Sequence, residues 1–169
     1  MRQTKRNHYP LLSKHDGFTF IELIVSLVIL GLLATLAVPT FELVSKRQKE
    51  QELRASLQDI RQAIDAYKKA SDENKIEKKA DDSGYPPNLQ VLYQGVIDLS
   101  DPSQKKKIFF MRRLPRDPFY PETGIPPEGS WGKRSYESDF DKPREGKDVY
   151  DIFSLSPETA LNGTLYKDW

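Results

Sequence analysis

The sequence predicts an α+β chain in which one long amino-terminal helix packs, through its second half, on a small antiparallel sheet. Residues 18–38 are almost uninterruptedly apolar, and no charge occurs between Glu22 and Glu42. Beyond that run, Leu53, Leu57, Ile60, Ile64 and Tyr67 recur at helical spacing and mark one face of an amphipathic helix. Near the carboxyl end, residues 131–137 and 149–155 are the best strand candidates, joined by a loop that holds Pro143 and Gly146.

In chain order, residues 1–17 form a basic leader with Arg2, Lys5, Arg6 and Lys14 against Asp16, ending in Gly17. The apolar run follows and is long enough to cross a hydrocarbon core, which needs about 20 residues as a helix. Glu22 sits inside it. A lone intramembrane acid is costly, points to a function and calls for a partner. Two alternatives are a secretory signal peptide cut near Thr35, Leu36 and Ala37, and a plain signal anchor. A signal peptide's apolar stretch is about 7–15 residues long, shorter than this one, and neither alternative accounts for Gly17 and Glu22 together.

Pro39 lacks a backbone donor and is expected to kink the helix rather than end it. The helix then continues to about residue 70, with Glu50, Arg54, Asp59, Arg61, Gln62 and Asp65 on the face opposite the apolar stripe. Residues 72–83 are rich in Lys, Asp and Glu and read as a solvated loop. After the break at Gly84, Tyr85, Pro86 and Pro87, short helices are expected over residues 88–96 and 103–113, the second around Ile108, Phe109 and Met111. The basic side chains of that second segment read as a solvated face. Leu114, Pro115, Arg116, Asp117 and Pro118 must be extended or turning, because residues before proline avoid the helical region.

Composition narrows the function. The 169 residues carry a formal net charge of +1, and the leader's balance of +3 leaves −2 for the remainder. No global basic field attracts nucleic acid. There is no cysteine, and both histidines, His8 and His15, lie in the leader. Thiol nucleophiles, Ser-His-Asp triads and the usual zinc ligands are thereby excluded from the rest of the chain. No paired-acid motif or glycine-rich phosphate loop supports other catalysis, so the chain is not expected to be an enzyme. The leader's basic residues favour a cytoplasmic amino terminus, whereas Lys46, Arg47 and Lys49 beyond the span oppose it.

Gly17, Phe18, Thr19, Phe20, Ile21 and Glu22, followed by the apolar run and Pro39, resemble the leader of type IV prepilins and type II secretion pseudopilins. The resemblance implies a type IV pilin-like fold. It also implies cleavage by a prepilin peptidase between Gly17 and Phe18, N-methylation of Phe18, and an assembly role for Glu22 and Pro39. Residues 1–17 would then be the leader, 18–40 the transmembrane and assembly helix, and 41–169 a periplasmic head. The implied location is the inner membrane, single-pass, with the amino terminus cytoplasmic before processing. Implied partners are membrane lipid, further copies in a filament, other pseudopilins and an inner-membrane secretion platform, with no nucleic acid.

Further on, Pro86 to Leu92, Leu114 to Pro118, Trp131-Gly132 and Tyr150 to Leu155 are similar, in that order, to the major (G-type) pseudopilin of type II secretion systems. A type IV pilus pilin, serving adhesion, twitching or DNA uptake, is the alternative. The resemblance implies no required cofactor for export but raises calcium in the carboxyl-terminal loop. Asp148, Asp151, Ser154, Ser156, Asn162 and Asp168 are the candidate ligands here. The ending departs from the family, with Gly163 its only glycine after Ser154 and few acids, and calcium takes six to eight oxygens.

Overall fold

The computed structural model describes residues 17–79, 81–122 and 124–169; within the long helix, residues 36–39 are described by backbone alone. Apart from Gly17, the expected leader lies outside the described residues, as does the Pro39 side chain. The elements are α1 (Phe20–Asp72), α2 (Gln90–Gln94), β1 (Val96–Ile97), β2 (Lys107–Ile108), β3 (Trp131–Arg134) and β4 (Asp151–Ser154). Short 3-10 turns lie at Pro127–Ser130 and Tyr166–Asp168. Two compact units divide the chain, one ending at Glu42 and the other being Leu43–Trp169.

The first unit is the apolar part of α1. Thr19 precedes the first helical residue, and its hydroxyl accepts the Glu22 N–H at 3.3 Å. This is half of a capping box, with Glu22 at the third helical position, where its charge also complements the helix dipole. Ser26 Oγ donates to the Glu22 carbonyl at 2.7 Å and Thr35 Oγ1 to the Leu32 carbonyl at 2.7 Å. The polar atoms of both hydroxyls are therefore satisfied within the helix, as hydrocarbon requires. Every large apolar side chain from Phe18 to Leu33 is exposed. An 18-residue window of α1 reaches a mean hydropathy of 2.6 with none of it buried. A helix apolar all round and uncovered has the length and composition of a membrane span.

The second unit holds the core. The whole stripe Leu53, Leu57, Ile60, Ile64 and Tyr67 is buried, as its periodicity predicts, together with Leu89, Leu92, Trp131, Ile152 and Tyr166. α1 ends in a Schellman motif. Asn74 adopts φ 53°, its N–H donates to the Ser71 carbonyl at 3.1 Å, and the Lys75 N–H donates to the Ala70 carbonyl at 2.9 Å. Ile76, just after this stop, turns back into the core.

The main sheet is the antiparallel pair β3–β4, with Trp131 opposite Ser154 and Arg134 opposite Asp151. Gly132 faces Phe153 in this register, and a Cβ there would overlap the Phe153 ring. Both strands are shorter than their sequence patterns predict. Ser135 leaves the ladder because its N–H turns to the Arg144 carbonyl and its hydroxyl to Asp148.

One expected helix is absent. Within residues 103–113 the structure has a turn followed by β2, which pairs antiparallel with β1 through Val96–Ile108 and Ile97–Lys107. Asp98 and Asp101 explain the difference. The Asp98 carboxylate accepts the Ser100 N–H, and that of Asp101 accepts the N–H groups of Ser103, Lys105 and Lys106. Local carboxylate bonds of this kind give the backbone an alternative to helix.

Candidate functional site

At the amino-terminal site, Gly17, Phe18 and Thr19 precede α1 and belong to neither helix nor strand. A Cβ built on Gly17 meets nothing within 4 Å, and Phe18 is 82 % exposed. The 17–18 peptide is thus open to solvent at the start of the apolar run. Glu22 is exposed, and its carboxylate has no ion-pair partner among the described residues. It lies four residues beyond Phe18 and two beyond the first residue of α1. Capping explains its local position but leaves the charge itself uncompensated.

The six candidate calcium ligands lie in the second unit, and each is occupied differently. Asp148 is buried and accepts from the hydroxyls of Ser83 and Ser135 and from the Tyr136 N–H. Asp151 pairs with Arg61 at 2.8 Å and with Arg134 at 3.2 Å. Ser154 donates to Asp117 Oδ2 at 2.6 Å and accepts the Ser156 N–H, while Ser156 Oγ accepts the Glu158 N–H. Asn162 Oδ1 accepts both the N–H and the hydroxyl of Thr164. Asp168 is exposed in the last 3-10 turn.

Sequence reasoning missed two structural carboxylates. Asp117 is 1 % exposed and accepts the Phe119 N–H at 2.8 Å as well as the Ser154 hydroxyl. It ties the Asp-Pro turn to β4, next to the Trp131 Nε1–H donating to the Pro115 carbonyl at 2.9 Å. Glu50, expected on the solvated face of α1, is instead 6 % exposed. Its Oε1 accepts the Leu161 N–H at 2.7 Å and the Tyr166 hydroxyl at 3.0 Å. Burial first, and then the bond to Glu50, push the Tyr166 phenol well above its ordinary pKa. Glu50 lies three residues before Leu53 and seven before Leu57, so helical spacing alone places it beside the apolar stripe.

Comparison with known proteins places this geometry. Residues 12–38 match the prokaryotic N-terminal methylation motif. The type II secretion system core protein G of Klebsiella pneumoniae is 27 % identical over 151 residues, covering 87 % of this chain and 88 % of that one. The protein of that name from Pectobacterium carotovorum is 28 % identical over 154 residues, covering 89 % and 81 %. The one from Dickeya chrysanthemi is 30 % identical over 123 residues, covering 71 % and 73 %. The chain belongs to the type II secretion system core protein G family. No solved structure matches it.

The resemblance raised calcium in the carboxyl-terminal loop, and the oxygens of most of the candidate ligands there are engaged by internal donors. Among the described residues no three acids converge as a metal site. Asp148 already accepts from two hydroxyls and an amide N–H, and the two guanidinium groups on Asp151 repel a divalent cation there. Five of the six candidate ligands, all but the exposed Asp168, serve internal hydrogen bonds or ion pairs.

Proposed function

We propose that the processed chain is a structural subunit of a type II secretion pseudopilus, a filament assembled from the inner membrane that drives protein export across the outer membrane. One combination carries this reading: an N-terminal methylation motif over residues 12–38, on a helix apolar all round, followed by a head related to core protein G over most of its length. The role is mechanical. Subunits added at the membrane lengthen the filament; the subunit itself performs no catalysis, and a cytoplasmic motor supplies the energy. A prepilin peptidase cuts between Gly17 and Phe18, and the new amino group is methylated. The head faces the periplasm. In the filament the chain meets further copies, other pseudopilins, the secretion platform and lipid.

Glu22 is the residue on which assembly turns. Its carboxylate is costly at the edge of a hydrocarbon core unless neutralised. Processing creates one cation at that depth, the amino group of Phe18. Within one chain the two are only four residues apart; in a filament the neighbour's amine pairs with Glu22 and fixes axial register. Pro39, which removes a backbone donor from the helix, is where α1 can yield so that neighbouring helices pack.

Intact mass of the membrane-extracted protein tests the processing: residues 1–17 should be missing and one methyl group added. A mature terminus at Val38 would restore the signal-peptide reading. Glu22→Val should leave insertion and cleavage intact and abolish or strongly reduce filaments and secretion. Glu22→Asp should be partly defective, and Glu22→Gln, which keeps the side chain's size and removes its charge, should fail like Glu22→Val. Normal secretion from Glu22→Val would sink the paired-charge mechanism.

A further inference from the structure

We propose that the carboxyl-terminal loop, residues 155–169, is held by a ladder of charged side chains on α1, and that folding of this subunit needs no calcium. The calcium expectation comes from the family reading; the ladder itself is independent of which filament the chain enters.

Lys46, Glu50, Arg54 and Arg61 follow one another at spacings of four, four and seven, which places them along one side of α1. All four reach the loop or the end of β4. Lys46 Nζ donates to the Thr159 carbonyl at 2.7 Å. Glu50 accepts from the Leu161 N–H and the Tyr166 hydroxyl. The Arg54 guanidinium lies 4.2 Å from the centre of the Trp169 ring. Arg61 donates to Asp151, to the Ile152 carbonyl at 3.1 Å and to the Trp169 carbonyl at 2.7 Å.

The contacts do what a bound cation would do. A calcium ion orders a loop by gathering carbonyl and carboxylate oxygens. Here Lys46 and Arg61 gather three backbone carbonyls and one carboxylate, with positive charges already bonded to the helix backbone. Glu50 takes the donors a cation could not take, an amide N–H and a phenol. Ladder bonds to charged groups are stronger than neutral ones, and Glu50 and Tyr166 are shielded from water. The loop closes on itself as well: the Ala160 N–H donates to the Thr164 carbonyl at 2.8 Å, and Thr159 bridges to Leu165. The Tyr166 ring then stacks on Phe119, their centres 4.1 Å apart, so the pinned loop also closes the core.

The test is thermal unfolding of the full chain in detergent micelles, with calcium chloride or with EGTA, read by near-ultraviolet circular dichroism. The two curves should superimpose. Glu50→Ala should melt roughly 4–8 °C lower in both conditions. Should Glu50→Ala fail to fold, Lys46→Ala removes the bond to Thr159 and the charge over the Tyr166 ring, and Arg54→Ala removes the contact with Trp169. In these variants the peptide spanning residues 158–166 should exchange its amide hydrogens about tenfold faster, a factor worth 1.4 kcal/mol. A saturable rise in melting temperature with calcium, reversed by EGTA, would overturn the proposal. So would ladder variants that melt and exchange like the parent. Secretion is not the readout, so a wrong assignment of the filament leaves this outcome unchanged and is detected separately by the processing and Glu22 experiments.

Discussion

At the residue scale the informative side chains are those whose polarity and burial disagree. Tyr166 is wholly buried, with its hydroxyl on Glu50 and with Glu158 adding negative charge, while Arg54 opposes the shift and Lys46 lies over the ring. Its folded pKa stands above the ordinary tyrosine value of about 10. The folded state therefore holds the phenol proton after the unfolded chain has released it. Stability that is full below about pH 10 must fall as pH rises beyond it. Tyr67 and Tyr85, raised mainly by burial, and Tyr93, raised mainly by its bond to Glu128, act in the same direction. Tyr166→Phe should lose about 1.5–3 kcal/mol at neutral pH, the worth of a hydrogen bond to a charged group. It should then decline less steeply than the parent in alkaline urea titrations. An unchanged alkaline slope would show that Tyr166 does not carry this dependence. None of this was legible from the sequence, because a tyrosine near a chain end and a glutamate on a helix look equally solvated until the loop between them folds back.

At the element scale, legibility follows periodicity. The stripe from Leu53 to Tyr67 repeats over several turns, and every member is buried. The strands around Trp131 and Ile152 were visible because β-branched and aromatic residues cluster there, although Ser135 and Asp148 cut β3 short. The segment 103–113 misled for the opposite reason: its apolar residues are few, and Asp98 and Asp101 spend their carboxylates on local backbone amides. Glu50 and Arg61 were read as solvated because helical spacing identifies the face but not what covers its border. The stripe gives a direct test. Leu57 and Ile60 are 3 % and 0 % exposed, so Leu57→Ala or Ile60→Ala should each cost about 2–5 kcal/mol in chemical denaturation. Losses below about half a kcal/mol, the range of surface substitutions, would mean that the stripe does not carry the core.

At the scale of the whole molecule the chain separates two jobs that most soluble proteins combine. Among the described residues the sixteen buried core side chains fall between Leu53 and Tyr166, and the large apolar side chains from Phe18 to Leu33 are each exposed. The exposed apolar surface of residues 18–33 is a liability in water that lipid or other helices relieve. The sequence showed this division through the change from an unbroken apolar run to a one-sided stripe; it did not show that the head ends in a loop tied back to α1. A chain beginning at Leu43 should consequently be soluble, monomeric and cooperatively folded without detergent. It keeps Lys46, Glu50, Arg54 and Arg61, the Schellman stop at Asn74 and the β3–β4 pair, and the large apolar side chains from Phe18 to Leu33 that it loses are exposed. Circular dichroism should show a cooperative melt, and size-exclusion chromatography a single monomer peak. The same chain should be unable to enter a filament, since Phe18 and Glu22 are gone. Aggregation or a non-cooperative melt would mean that the amino-terminal half does contribute to the fold, and that Glu22 variants report on stability as well as on assembly.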